Sequence, residues 1–239
     1  MKHIFTWSVL FLLPVMGLFS HPDYYLTLRD AIFAQELNAD RIAPLYRDAV
    51  AKAQETLRGR ELYTMLSRCE YMMGRAYQED QRKDEAIRCY ENGVSWAEKA
   101  NAEAPSADGY EMIASNIGQL CMLRSTFWVM ANGLKVEQNA KKGLKLDERH
   151  AACMYLIASR WAFGPNPFGN PRRGVTELQA MLNGTADLDR DNYFNIYSGI
   201  GYAYLRLENK AEAAVWITRA LEIYPTNKFA LGLLRETET

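Results

Sequence analysis

The sequence predicts an all-α protein built from antiparallel helix pairs stacked side by side. Three observations carry this. Apolar residues recur at helical spacing along nearly the whole chain. Pro- and Gly-rich breaks separate the periodic stretches. Small residues hold one slot in successive segments: Gly74, Ser115, Ala158 and Gly201 fall 41, 43 and 43 residues apart. A period of that size marks a repeat, because one helix pair cannot bury its apolar face alone and must stack on a neighbour.

The plainest pair is "NIYSGIGYAYLRLENKAEAAVWITRALEIYP", residues 195–225. Tyr197, Gly201 and Tyr204 form one stripe, Glu208-Asn209-Lys210 makes a polar turn, and Ala213, Ile217 and Ala220 form a second stripe that Pro225 stops. Gly201 and Ala213 are small where the two helices must cross closely. "YMMGRAYQEDQRKDEAIRCYENGVSWAEKA" repeats the pattern with Gly74, Tyr77, Ala86, Tyr90 and Gly93, and its second helix runs on through Trp96, Ala97 and Ala100 toward Pro105. A third, degenerate copy uses Ser115 and Gly118, then Val136, Ala140 and Gly143. The fourth uses Ile157, Ala158 and Trp161, then Gly174, Leu178 and Met181.

Seven positions of the pair at 195–225 resemble the tetratricopeptide repeat: Tyr197, Gly201, Tyr204, Ala213, Ile217, Ala220 and Pro225. The resemblance implies helical-hairpin repeats stacked as a right-handed superhelix. The usual unit is about 34 residues, so the middle repeats carry insertions. "LRSTFWVMANGLKV" stretches the third, bringing Phe127 and Trp128 to a loop or helix end, and "FGPNPFGNP" is an expanded loop inside the fourth. Two further helices around Asn38-Ala39-Asp40 make a fifth, N-terminal pair, and the tail from Thr226 to Thr239 reads as a capping helix. Residues 21–239 therefore form a single domain of about five pairs plus the cap.

Ahead of it, Lys2, the apolar run Ile4–Phe19 with Pro14, and the small Ser20 have the layout of a secretory signal over residues 1–20. An uncleaved anchor is the alternative. A mature chain beginning near His21 would be exported, and the compartment would be the periplasm. Export would permit disulfides among Cys69, Cys89, Cys121 and Cys153. Their wide spacing, with no CxxC, equally fits buried thiols acting as small hydrophobes and excludes zinc.

The order of insertions, "SNIGQL…ANGLKVEQNAKKGLKLDERHAACMYLIASRW…FGNPRRGVTELQAML", resembles the T-component family, tetratricopeptide-repeat proteins associated with periplasmic TRAP-type transporters. The likeness covers roughly residues 85–225 and departs from the family pattern at Glu148, at Ser159-Arg160 and at Asn170. It implies a non-enzymatic partner of an extracytoplasmic solute-binding protein. A general envelope scaffold for peptides, or a small-ligand receptor using the inner groove, are the alternatives.

A net charge of −1 gives no basic face for nucleic acid. With three histidines, two of them at or before residue 21, neither a metal set nor a nucleophile–histidine pair is expected, and no cofactor. Self-association stays open. The expected site is the groove lined by the first helix of each pair. Its register assigns Arg68, Tyr71, Arg75 and Gln78, then Met112, Asn116 and Gln119, then Tyr155 and Ser159, then Asn195, Ser198, Tyr202 and Arg206. Tyrosines beside Asn, Gln and Arg suit a peptide or small polar ligand. Arg68 and Arg75, two turns apart on one exposed face, are expected to pair carboxylates of an acidic partner segment.

Overall fold

The computed structural model describes residues 21–165 and 167–238. The apolar run Ile4–Phe19 and the expected cleavage point after Ser20 lie outside them. Among the described residues twelve α-helices follow in order: α1 (Asp23–Ala34), α2 (Ala39–Thr56), α3 (Gly59–Glu79), α4 (Lys83–Glu103), α5 (Ala107–Leu123), α6 (Thr126–Asn132), α7 (Leu134–Leu146), α8 (Ala151–Phe163), α9 (Pro171–Ala180), α10 (Arg190–Arg206), α11 (Lys210–Ile223) and α12 (Lys228–Glu238). Among the described residues the β structure is a single isolated bridge, His150 to Asp187.

Local chemistry sets the boundaries. Asn38, Ser106, Asn170, Asp189 and Asn209 each cap a helix by accepting a backbone N–H of its first turn. Pro171 opens α9, where its missing N–H costs nothing. A wide π turn over Met181–Thr185 closes that helix, with Gly184 at φ +90°.

The hairpins α1–α2, α3–α4, α5–α7, α8–α9 and α10–α11 are the five pairs, and α6 is the insertion in the third. Close crossings use small residues. A Cβ on Gly201 would stand 2.5 Å from Ile217 and 3.4 Å from the Ala213 carbonyl, and one on Gly74 would stand 2.6 Å from the ring of fully buried Tyr90. In the fourth pair the tight contact is displaced one turn from Ala158. Gly174 lies against Ala162, where a Cβ would come 2.7 Å from backbone nitrogen. All four cysteines are free thiols, with Cys69 and Cys153 buried. Burial pushes the Cys69 thiol up to about 12.

The Pro-rich segment is a fastened loop. The Asn170 N–H donates to the Trp161 carbonyl at 3.0 Å, and Arg206 donates to the carbonyls of Ala162 and Gly164 at 2.7 Å each. Gly164 and Gly169 cross so closely that neither could carry a side chain. Arg206→Ala is expected to cost about 1.5–3 kcal/mol, the range for hydrogen bonds made by a charged donor. Urea unfolding checks this, and an unchanged midpoint would mean the loop is held by other contacts.

The first helices of the pairs form an inner layer in which α1 lies on α3, α3 on α5, α5 on α8 and α8 on α10. The layer then closes on itself. Phe33 of α1 packs against Phe194 of α10 (5.6 Å) and stacks on Tyr224 (5.1 Å). Asn227 donates to the Phe33 carbonyl at 2.8 Å, and the Lys228 N–H donates to Gln35 at 2.6 Å. Arg29 meets Asp191 at 2.5 Å, and Tyr224 donates to Asp30 at 3.1 Å. Helix α12 therefore does more than cap the stack: its N-terminus seals the first pair to the last.

Candidate binding chamber

Closure turns the inner groove into a chamber of about 1290 Å³ with walls from α1, α3, α5, α8, α10 and the start of α12. The inner helices alternate with outer ones and so share a direction. Their N-terminal ends gather at one mouth and their C-terminal ends at the other.

The N-terminal mouth is charged. Asp108 Oδ1 accepts from Arg68 at 2.6 Å, and His150 Nε2 stands 3.2 Å from the same oxygen. The second ring nitrogen of His150 accepts the Cys153 N–H, so the neutral ring carries its proton toward Asp108. The Arg68 guanidinium holds the Asp108 carboxyl well below the usual carboxylate range. One turn on, burial raises Glu111 above its ordinary value, and the Ser115 hydroxyl donates to it at 2.5 Å. Burial likewise lifts Asp191 to about 6 despite Tyr224 and Arg29, and lowers His21 to about 4, which keeps that ring neutral.

The middle is aromatic and apolar, with Phe33, Tyr71, Met72, Met112, Tyr155 and Phe194 on the wall. The Arg75 guanidinium lies 4.7 Å over the Phe33 ring and makes no ion pair among the described residues. Gln119 donates to the Tyr71 hydroxyl at 3.2 Å, and Tyr90 donates to Gln78 at 2.9 Å. Ser198 lines the chamber with its hydroxyl buried and without a hydrogen-bond partner in the described structure. At the C-terminal mouth, Met122, Phe163 and Phe229 line the chamber and are also exposed, at 72%, 36% and 44%.

Of the sequence-predicted residues, Arg68, Tyr71, Arg75, Gln78, Gln119, Tyr155 and Ser159 share this wall, with Met112, Asn195 and Ser198. Asn116, Tyr202 and Arg206 do not. On α5, Ser115 faces the chamber beside Met112 and Gln119. Asn116 is fully buried instead, donating to Ser67 (3.3 Å) and to the Met112 carbonyl (2.8 Å) where Gly93 makes room. The fourth-repeat insertion covers the end of α10: Phe163 stacks on Tyr202 at 4.7 Å, and Arg206 fastens the loop. Arg68 also departs from expectation, since it is only 13% exposed and already paired with Asp108.

Sequence reasoning missed Phe33, Asp108, Glu111, His150, Asp191 and Phe229. Glu111 left a signal, a carboxylate among the apolar residues of "YEMIASNIG". Phe33 and Phe229 left none, because their role depends on closure. No group of His, Cys, Asp and Glu among the described residues could hold a metal ion. No described helix is long and apolar enough to cross a membrane.

Residues 71–99 and 194–227, the second pair and the last, match the tetratricopeptide-repeat model. The chain carries tetratricopeptide repeats. The first match begins within α3, and the second ends at Asn227, where α12 starts. Similar solved structures include YrrB, described as a TPR protein with an unusual peptide-binding site, at 14% identity and a TM-score of 0.40, covering 89% of this chain and 90% of that one. Another is the APC/C hetero-tetramer Cut9-Hcn1, at 14% identity and a TM-score of 0.40, covering 91% of this chain and 46% of that one. No curated protein matches the chain. The repeats between the two matched stretches are those that carry α6 and the Pro-rich loop, and there the repeat spacing is broken.

Proposed function

We propose that the protein is a non-enzymatic interaction scaffold of the periplasm that encloses a ligand in its chamber and works beside an extracytoplasmic solute-binding protein of a TRAP-type transporter. The observation that carries the ligand reading is closure: Phe33, Phe194, Tyr224 and Asn227 join first repeat to last, so the concave surface is a bounded room. At about 1290 Å³ it is at or above the top of the ordinary range of small-molecule sites, about 300–1,000 Å³. That suits one extended small molecule or the end of a peptide. A long peptide lying across successive repeats would need the open groove that closure removes. The partnership rests on the order of insertions between residues 85 and 225, and the periplasmic location on Lys2, the apolar run and Ser20.

Gly118 offers a test that spares the fold. It lines the chamber, and a Cβ there would meet nothing within 4 Å. Gly118→Trp is expected to obstruct the chamber without loss of stability, since leaving glycine in a helix gains roughly 0.5 kcal/mol. After crosslinking in cells and purification, the parent should bring down a solute-binding protein and a retained ligand, and its N-terminus should lie near His21. The variant should lose the ligand with its melting temperature kept. Equal ligand content in both proteins would overturn the chamber reading. Met1 at the N-terminus of soluble cytoplasmic protein would overturn export.

A further inference from the structure

The chamber is polarised along its axis. At the N-terminal mouth three arginines are already neutralised: Arg29 by Asp191 (2.5 Å), Arg68 by Asp108 (2.6 Å) and Arg149 by Asp187 (2.6 Å). Carboxylates are left over. Asp147 accepts the Arg149 N–H but makes no ion pair among the described residues, and Asp189, which caps α10 by accepting the Asn192 N–H, reaches Arg29 only at 3.5 Å. That end attracts positive charge. Arg75 lies two helical turns below Arg68, roughly 10 Å along the axis, and is a wall cation with no carboxylate partner among the described residues. Below it, Met122, Phe163 and Phe229 line the exit while standing exposed.

Segments that follow the C-terminal ends of inner helices carry further exposed apolar residues. Phe127 and Met130 of α6 follow the end of α5 that carries Met122 and are 83% and 77% exposed. Phe168 of the Pro-rich loop is 72% exposed. Exposed apolar residues at a chamber opening, here Met122, Phe163 and Phe229, mark a surface that meets apolar material. Carboxylate, then cation, then an apolar outlet is the complement of an ammonium, a phosphate and a hydrocarbon chain in that order.

We infer that the chamber takes a single-chain zwitterionic amphiphile, its ammonium toward Asp147 and Asp189, its phosphate at Arg75, and its acyl chain leaving through the apolar mouth. This rests on the chamber reading above and names the ligand class. The arginine, half-buried on the wall, supplies a charge-assisted contact to a phosphate oxygen. Met122, Phe163 and Phe229, which line the exit below Arg75, would bury part of the chain, removing its methylenes from water.

Titrations of the full purified protein with three probes test it: hexadecyl lysophosphatidylcholine below its micelle concentration, palmitate with a matched chain and an anionic head, and hexylphosphocholine with a matched head and a short chain. The long zwitterionic probe should bind one-to-one, at least tenfold tighter than either control. Gly118→Trp should abolish that binding, and Arg75→Gln should weaken it at least tenfold, both with unchanged melting temperature. Palmitate binding as tightly as the zwitterion would overturn the headgroup assignment, and hexylphosphocholine binding as tightly would overturn the acyl chain. Absence of binding by all three would overturn the amphiphile. In that case a ligand retained by the parent and lost in Gly118→Trp would show that the chamber reading survives it.

Discussion

Arg29→Met is expected to lower the free energy of unfolding by about 3–5 kcal/mol, the range for removing one partner of a buried ion pair. The Arg29 and Asp191 side chains are 10% and 9% exposed, so solvent cannot replace the lost contact. Methionine keeps much of the length and apolar stem, which confines the loss to charge and hydrogen bonding. The deficit should depend on pH. Burial raises the folded-state pKa of Asp191 to about 6, above its ordinary 3.8, so the fold binds this proton more tightly than the unfolded chain does. Its contribution to stability is therefore full below about pH 4 and is lost as pH rises through about 6. Without Arg29 the proton is held more tightly still. The gap between parent and variant should shrink when urea unfolding is repeated at pH 5 instead of 7.5. A deficit under 1 kcal/mol, or one that widens in acid, would mean that the pair does not hold the ring shut.

Gly201→Leu is expected to cost about 1–3 kcal/mol through overpacking, against a small gain in helix propensity. The first added carbon already falls 2.5 Å from Ile217 Cγ1, and the Ala213 carbonyl at 3.4 Å blocks retreat along the helix. Both neighbours are fully buried, so neither can swing aside. The double variant Gly201→Leu with Ile217→Ala should recover part of the loss, since it returns the volume that the leucine takes. If the single variant melts with the parent, the crossing of α10 and α11 is looser than these distances require.

The pair at 195–225 was legible because its evidence is local. A glycine, two tyrosines and three small or branched residues at helical spacing state both helices and the side on which they meet. The pair at 71–100 was legible for the same reason, with Gly74 opposite Tyr90. Where the spacing was interrupted, reading failed at single residues. On α5 the degenerate repeat exchanged Ser115 and Asn116 between wall and interface, while Met112 and Gln119 stayed on the wall. The Pro-rich loop, correctly placed as an insertion, was not seen to cover Tyr202 and to engage Arg206. Closure was out of reach altogether. Tyr224 and Asp30, or Asn227 and Phe33, stand 194 residues apart, and no periodicity relates them. The pairing of Arg68 with Asp108 was out of reach in the same way, since the two stand 40 residues apart on different helices.

Closure also fixes how many repeats the chain can have. An open stack can gain or lose a unit at either end, because each unit answers only to its neighbours and the ends merely need a polar face. A ring has no such freedom. Removing one pair would leave Phe33 and Phe194 unable to meet, and inserting one would carry Gln35 away from the start of α12. Variation is confined to places that leave the circumference unchanged, and the two insertions, α6 and the Pro-rich loop, are placed accordingly. Both project at the C-terminal ends of inner helices without adding a segment to the ring. Five is thus a closing condition of this molecule, and diversification of its recognition surface is channelled into what can be hung on one rim.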